Sequence, residues 1–170
     1  MKYQTDINII LDRSGSMATI GSDTIGGFNR FLREQKKIPK SARISLYQFD
    51  NEYNTVYENR NIREAPELTN RTFIPRGSTA LLDAVGRTIN SVGDRLRDMR
   101  QQDRPNQVLI VIVTDGEENA SHEFKKQQIE DMIKHQTDVY SWQFVYIGAN
   151  LQTIKEGYNS YNSFGNNYAS

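Results

Sequence analysis

Hydrophobic positions recur along the chain with two periods, which are typical of β-strands and of amphipathic helices. Strand-like segments alternate with helix-like segments, and turn or helix-breaking residues such as Pro39 separate them. The predicted strands are residues 6–11, 43–49, 53–57, 108–113 and 144–147, and the predicted helices are residues 22–37, 79–100 and 123–135. Strands that alternate with helices indicate an α/β fold with a mainly parallel sheet.

The segment at residues 108–113, "VLIVIV", is the most apolar part of the chain. Six apolar residues in a row, without alternation, are typical of a strand that is buried on both faces. We therefore predict a doubly wound, mainly parallel central sheet with helices on both faces. The hairpin-like segment at residues 53–57 is predicted to add one antiparallel edge strand.

Length and composition restrict the possible classes of protein. A chain of 170 residues with 36% apolar residues predicts one domain, which we place at residues 1–156. The polar segment at residues 157–170 is expected to be an edge strand or a flexible tail. Lysine plus arginine and aspartate plus glutamate balance at 21 each, so we expect no nucleic-acid partner.

The absence of cysteine excludes disulfides, thiolate metal sites and cysteine nucleophiles. No segment approaches the roughly 20 apolar residues of a membrane span, and the first residues lack the long apolar run of a signal peptide. We therefore expect no membrane insertion and a cytoplasmic location.

Acidic turns follow two of the predicted strands. The first reads "DRSGS" at residues 12–16, and the second reads "TDGEE" at residues 114–118. Ligands of doubly wound sheets bind outside the carboxyl ends of the strands, so Asp12 and Asp115 are expected to face one crevice. Two neighbouring carboxylates repel each other unless a cation lies between them, which favours a metal site.

A third segment, "PRGSTALLDA" at residues 75–84, leads into the second predicted helix. Gly77 permits close backbone approach, and Ser78 and Thr79 place hydroxyl groups at the helix start. The complete set of candidate ligands is Asp12, Ser14, Ser16, Thr79 and Asp115. Oxygen donors without histidine or cysteine suit a hard cation such as Mg²⁺, with Mn²⁺ or Ca²⁺ as possible substitutes.

The motifs "DRSGS", "RGSTALLDA" and "TDGEEN" resemble the metal-ion-dependent adhesion site of von Willebrand factor type A domains. The resemblance covers roughly residues 5–150 and implies that Ser14, Ser16 and Thr79 bind the ion directly. Asp12 and Asp115 would then act largely through water. The family usually ends with a further strand and a long helix, whereas no amphipathic final helix is predicted here after Asn150.

The resemblance also implies a function. Neutral hydroxyl ligands leave the ion electrophilic, so an acidic side chain of a partner protein completes its coordination. Lone intracellular members often serve as adaptors, so an AAA-type ATPase or a subunit of a complex is a candidate partner. Arg13, beside the site, could add to the attraction for an acidic side chain, but on its own it is expected to be a solvated surface residue.

Three functions remain open at this point. The first is a metal-dependent protein-binding module, which we favour because no base accompanies Ser14 or Ser16 in the motif. The second is a Mg²⁺-dependent phosphoryl-transfer or hydrolytic enzyme, since such enzymes also hold metals at strand ends. The third is a structural subunit in which the metal only joins three loops.

Overall fold

The computed structural model describes residues 2–115 and 118–148. These residues form five strands and three α-helices around one sheet. In chain order they are β1 (Thr5–Asp12), α1 (Gly21–Lys36), β2 (Ala42–Phe49), β3 (Tyr53–Asn61), α2 (Leu81–Arg97), β4 (Gln107–Thr114), α3 (Lys126–Tyr140) and β5 (Gln143–Gly148). The predicted domain boundary at residues 156 and 157, the polar segment beyond it and the expected lack of a final helix lie outside the described residues.

The sheet has the order β3-β2-β1-β4-β5. Strand β1 pairs in parallel with both β2 and β4, β5 pairs in parallel with β4, and only β3 is antiparallel. The chain thus leaves β1 toward β2 on one side and later crosses to β4 on the other. The predicted doubly wound fold with one antiparallel edge strand is confirmed, and β1 and β4 are neighbours at the switch point.

Alternate residues of the central strands point to two separate cores, as expected for a sheet covered on both faces. On one face, Ile9 and Val111 belong to the same cluster as Phe28 and Phe31 of α1. On the other face, Ile110 belongs to a cluster with residues of α2 and α3, including Val92 and Ile129. Helices on both faces therefore hold the strand ends in fixed positions.

One buried polar cluster interrupts the second core. Arg95 of α2 reaches the β1 residues Asp6 and Asn8, with its Nη1 2.9 Å from Asp6 Oδ1 and its Nη2 3.1 Å from Asn8 Oδ1. Asp6 and Asn8 are completely buried, and only 13% of the Arg95 side chain is exposed. The cluster fixes the position of α2 relative to the central strand.

The three helices lie in the parts of the chain where the sequence predicted them, but some of their ends differ from the prediction. The third helix begins at Lys126 rather than at the predicted residue 123, because Asp83 binds the preceding N–H groups of residues 122–124 in a non-helical loop. It continues to Tyr140 and stops before Ser141, which has a left-handed backbone (φ 59°). No helix among the described residues is long and apolar enough to cross a bilayer.

Candidate metal site

The candidate site is built from three loops at the carboxyl edge of the sheet. The first loop (residues 12–16) follows β1, the second loop (residues 75–80) precedes α2, and the third loop (residues 115–125, without the undescribed residues 116 and 117) follows β4. The parallel pairing of β1 with β4 brings the ends of these two strands side by side. The first and third loops therefore leave the sheet at adjacent points.

Asp12 is the last residue of β1 and is completely buried. Its Oδ1 accepts a hydrogen bond from the Ser14 N–H (2.7 Å), and its Oδ2 accepts one from the Thr114 hydroxyl at the end of β4 (2.8 Å). Burial raises the pKa of the Asp12 carboxyl; hydrogen bonds from Ser14 and Thr114 oppose this rise, and the charge of Asp115 adds to it. A buried carboxylate near a second one is an environment that a cation would stabilise.

The two serines of the first loop and Asp115 converge on one point. Ser14 Oγ and Ser16 Oγ lie 3.2 Å apart, and the Ser16 hydroxyl donates a hydrogen bond to Asp115 Oδ2. Ser14 is buried, whereas Ser16 is exposed, so the cluster opens to solvent on one side. The structure therefore brings four of the five sequence-predicted residues, Asp12, Ser14, Ser16 and Asp115, into one hydrogen-bonded group.

Thr79, the fifth predicted residue, is 2% exposed and lies two residues before α2. Its N–H donates to Asn119 Oδ1 (2.8 Å), and its carbonyl accepts from the N–H groups of Asn119 and Ala120 (both 3.0 Å). Asn119 belongs to the third loop, so this backbone pairing ties the loop of Thr79 to the loop of Asp115.

Backbone hydrogen bonds also join the first and second loops. The Gly15 N–H donates to the Gly77 carbonyl (3.0 Å), and the Arg76 N–H donates to the Arg13 carbonyl (2.7 Å). Gly77 has φ 71°, and a Cβ there would lie 2.3 Å from Asn51 Oδ1. The close approach expected of Gly77 is therefore present, and its conformation also favours glycine.

The prediction for Arg13 was wrong. Only 13% of its side chain is exposed, and its Nε lies 3.2 Å from Asp50 Oδ2. The same oxygen is 2.8 Å from Arg76 Nε, whose side chain is 55% exposed. The buried Asp50 carboxylate thus holds the guanidinium groups of Arg13 and Arg76 beside the loops. The segment "DRSGS" does not include Asp50, so the motif alone did not predict this pairing.

Asp50 has a perturbed carboxyl group. Burial alone would raise its pKa, but the Glu52 N–H and the guanidinium groups of Arg76 and Arg13 outweigh burial and hold the pKa below its ordinary value. The sequence contained a signal for this role, since Asp50 directly follows β2 at the same edge of the sheet as Asp12 and Asp115. The turn-like neighbour Asn51 favoured a hairpin interpretation instead.

The donor set is compatible with a hard divalent cation. It contains hydroxyl and carboxylate oxygens only, which Mg²⁺, Mn²⁺ and Ca²⁺ prefer. Among the described residues, no group of three or more histidine, aspartate or glutamate side chains has the arrangement of a metal centre. The Ser14 and Ser16 hydroxyls, beside the Asp115 carboxylate, add neutral oxygen donors to the set.

Comparison with known proteins identifies the family. The sequence profile described as the von Willebrand factor type A domain matches residues 6–164. The chain belongs to the von Willebrand factor type A domain family. Domains of this family often act as adhesion or protein-interaction modules. A search of curated proteins finds no match.

Solved structures show the same fold at low sequence identity. Manganese-loaded TRAP protein from Plasmodium vivax has a TM-score of 0.55 and 14% identity, with 91% of this chain and 62% of that chain covered. Proximal thread matrix protein 1 from the mussel byssus has a TM-score of 0.58 and 16% identity, with 92% and 41% covered. The pilus adhesin SpaC from Lactobacillus rhamnosus GG, in an open conformation, has a TM-score of 0.57 and 12% identity, with 96% and 30% covered.

This chain therefore spans less than two thirds of the length of each of these three structures. At such identities the likeness concerns the fold of the type A domain. The TRAP protein in that structure is manganese-loaded.

Proposed function

We propose that this type A domain is a divalent-cation-dependent protein-binding module. In this proposal Ser14, Ser16 and Thr79 bind the ion directly, and Asp12 and Asp115 support it largely through water. The observation that carries the proposal is the convergence of the Ser14 and Ser16 hydroxyls, 3.2 Å apart, with the Asp115 carboxylate on one solvent-open point.

Hydrogen bonding at Asp12 supports the indirect role of this residue. Both of its carboxylate oxygens already accept hydrogen bonds, from the Ser14 N–H and from the Thr114 hydroxyl. A carboxylate engaged in this way adds negative charge near the ion while it keeps the first loop folded. Ser16, by contrast, is exposed and can exchange its hydrogen bond to Asp115 for a contact with the ion.

We propose Mg²⁺ as the resident ion, with Mn²⁺ or Ca²⁺ able to replace it. Mg²⁺ is a hard cation that favours octahedral oxygen coordination and usually keeps several waters. The bound ion would supply an electrophilic coordination position. Because the serine and threonine ligands are neutral, that position would attract an acidic side chain of a partner protein, for which an AAA-type ATPase or a complex subunit is a candidate.

We further propose that the domain is not an enzyme. The Ser16 hydroxyl donates a hydrogen bond to the Asp115 carboxylate, and it lies 3.2 Å from the Ser14 hydroxyl. A carboxylate is a weaker base than the imidazole that activates serine in hydrolases. Turnover of p-nitrophenyl phosphate with Mg²⁺ that is abolished by Asp115→Ala would contradict this part of the proposal.

Isothermal titration calorimetry tests the metal site directly. The wild type is titrated with MgCl₂, MnCl₂ and CaCl₂ and is compared with the Ser14→Ala/Ser16→Ala variant. Ser22→Ala, an exposed serine in the first turn of α1, is the matched control. Binding by the wild type and the control but not by the double variant supports the site, whereas no binding by the wild type overturns it.

Partner binding needs a separate experiment. The immobilised wild type and the double serine variant are incubated with cell extract in Mg²⁺ or in EDTA, and bound proteins are identified by mass spectrometry. A partner that is retained only by the wild type and only in Mg²⁺ supports the adhesion-type function. A partner that is retained equally in EDTA would favour a purely structural metal.

A further inference from the structure

Asp83 lies in the first turn of α2, and its carboxylate oxygens accept hydrogen bonds from backbone N–H groups of the third loop. Its Oδ1 accepts from the N–H groups of Glu123 (3.0 Å) and Phe124 (2.8 Å), and its Oδ2 accepts from the His122 N–H (3.0 Å). The residue is 5% exposed. Burial would raise the pKa of Asp83, but these three N–H groups outweigh it and lower the pKa.

The third loop in turn caps the helix that carries Asp83. The N-terminal residue of α2 is preceded by Ala80, which has no side-chain hydrogen bond to cap the helix. The Leu82 N–H instead donates to Glu118 Oε1, and the Asp83 N–H donates to Ser121 Oγ, both at 3.0 Å. Free N–H groups at a helix start need such acceptors, so helix and loop satisfy each other reciprocally.

Side-chain packing also holds the third loop against α2, one turn further along the helix. The ring of Phe124 lies directly over Gly86, where a Cβ would come within 2.7 Å of three ring atoms. At the exposed edge, Arg87 Nε is 2.8 Å from Glu123 Oε2. The loop is therefore held at its far end by buried hydrogen bonds and by a close ring contact.

The near end of the same loop carries the candidate ligand Asp115 and contacts a second candidate ligand, Thr79, in the second loop. Asn119 pairs with the backbone of Thr79, and Asp115 accepts the hydrogen bond from Ser16. Thr79 and Asp83 are four residues apart, so the second and third loops meet along one continuous strip of hydrogen bonds. Asp83 is not among the candidate ligands, but its substitution would remove the hydrogen bonds at one end of this strip.

We infer that Asp83 is a positioning residue of the metal site, which fixes the third loop on α2 and so sets Asp115 and Thr79 at their working separation. The inference rests on the proposed metal-binding function. It predicts that the loss of Asp83 weakens metal binding in a protein that is still folded. Charge-assisted hydrogen bonds to three N–H groups are strong enough to hold a loop in this way.

The test compares Asp83→Asn and Asp83→Ala with the wild type. Asparagine keeps the shape and one acceptor oxygen, so it should be intermediate, and alanine removes all three hydrogen bonds. Asp94→Asn is the matched control, because Asp94 lies on the same helix with an exposed side chain paired to Arg97. Circular dichroism at the titration temperature establishes that each variant is folded, and Asp83→Asn decides the result if Asp83→Ala does not fold.

Two readouts are needed. Amide hydrogen exchange without metal should show faster exchange at residues 122–124 and at Thr79 in the Asp83 variants. Calorimetric titration with MgCl₂ should show affinity reduced by about tenfold or more, the range found for residues that orient metal ligands. Asp94→Asn should match the wild type in both measurements.

The outcomes distinguish this inference from the proposed metal-binding function on which it rests. Wild-type Mg²⁺ binding together with weaker binding in the folded Asp83 variants supports the inference. Equal Mg²⁺ affinity in the wild type and in folded Asp83→Asn overturns it, even if thermal stability falls, and leaves the metal site intact. Absence of Mg²⁺ binding by the wild type overturns both the inference and the proposed function.

Discussion

Arg95 and Asp6 form a two-pronged ion pair between α2 and the central strand, with Nη1–Oδ1 and Nη2–Oδ2 distances of 2.9 and 3.2 Å. Asp6 is completely buried, so this pair differs from the exposed ion pairs of the helix surfaces. Replacing one partner of a buried pair leaves an uncompensated charge in the interior. Replacing both partners removes that charge.

We therefore expect Arg95→Met to reduce the free energy of unfolding by about 3–5 kcal/mol. The double variant Asp6→Leu/Arg95→Met should lose less than the sum of the two single variants. Urea unfolding of the four proteins measures the coupling. As a control, Asp94→Ala/Arg97→Ala removes a pair whose side chains are 63% and 72% exposed, and it should change stability by less than about 1 kcal/mol.

Asp12→Asn should have opposite effects on metal binding and on the stability of the metal-free protein. Asparagine can accept from the Ser14 N–H and donate to the Thr114 hydroxyl, so the hydrogen-bonded frame persists. The substitution also removes a buried charge that Asp115 repels.

Without metal, we expect the melting temperature of Asp12→Asn to equal or exceed that of the wild type. The increase in melting temperature that Mg²⁺ gives the wild type should disappear. Differential scanning calorimetry with Mg²⁺ and with EDTA measures both effects. A Mg²⁺-dependent increase of wild-type size in the variant would contradict the assigned role of Asp12.

Gly77→Ala should disturb both the stability and the site. The position has φ 71°, and the added Cβ would meet Asn51 Oδ1 at 2.3 Å. The left-handed backbone alone costs a non-glycine residue about 1–2 kcal/mol. We expect at least this loss in urea unfolding, together with weaker Mg²⁺ binding, because the Gly77 carbonyl holds Gly15.

Gly93→Ala provides the control for this glycine. Gly93 lies within α2, and a Cβ there would have no atom within 4 Å apart from its chain neighbours and the backbone of the helix itself. Alanine is the better helix former by about 1 kcal/mol, so this variant should be as stable as the wild type or more stable. Equal behaviour of the two glycine variants would argue against the close approach at Gly77.

Acid should destabilise the fold partly through Asp50. Because the Asp50 pKa is lower in the folded protein, its carboxylate stabilises the fold above the unfolded-state pKa of about 3.9. This contribution is lost as the pH falls from the unfolded-state pKa through the folded one. Urea unfolding from pH 7 to pH 3 should show a steeper acid decrease for the wild type than for Asp50→Asn, which is less stable at pH 7. Parallel curves would contradict this assignment.

The sequence predicted the fold well because its signals were local. The uninterrupted apolar run at residues 108–113 identified a strand buried on both faces, and the structure places it beside β1 as β4. The order of acidic turns and hydroxyl residues also predicted that Asp12, Ser14, Ser16 and Asp115 meet at one edge of the sheet, and the structure brings these four together there. Hydrophobic periodicity supplied the first conclusion and the order of the motifs supplied the second, and neither required knowledge of a distant contact.

The surroundings of the site depended on distant contacts and were less predictable. Arg13 looked like a surface residue because its partner, Asp50, is 37 positions away in the sequence. The start of α3 was misplaced because Asp83, about 40 positions earlier, captures the amides before it. Contacts between residues this far apart in the sequence follow from the order of the strands in the sheet. A pattern of a few neighbouring residues does not predict them.

Backbone hydrogen bonds join the three loops of the candidate site, through Gly15 with Gly77, Arg76 with Arg13 and Asn119 with Thr79. Peptide groups persist when side chains change. The domain is thus a scaffold on which the three hydroxyl side chains at positions 14, 16 and 79 can be exchanged as a set while the loops remain in place.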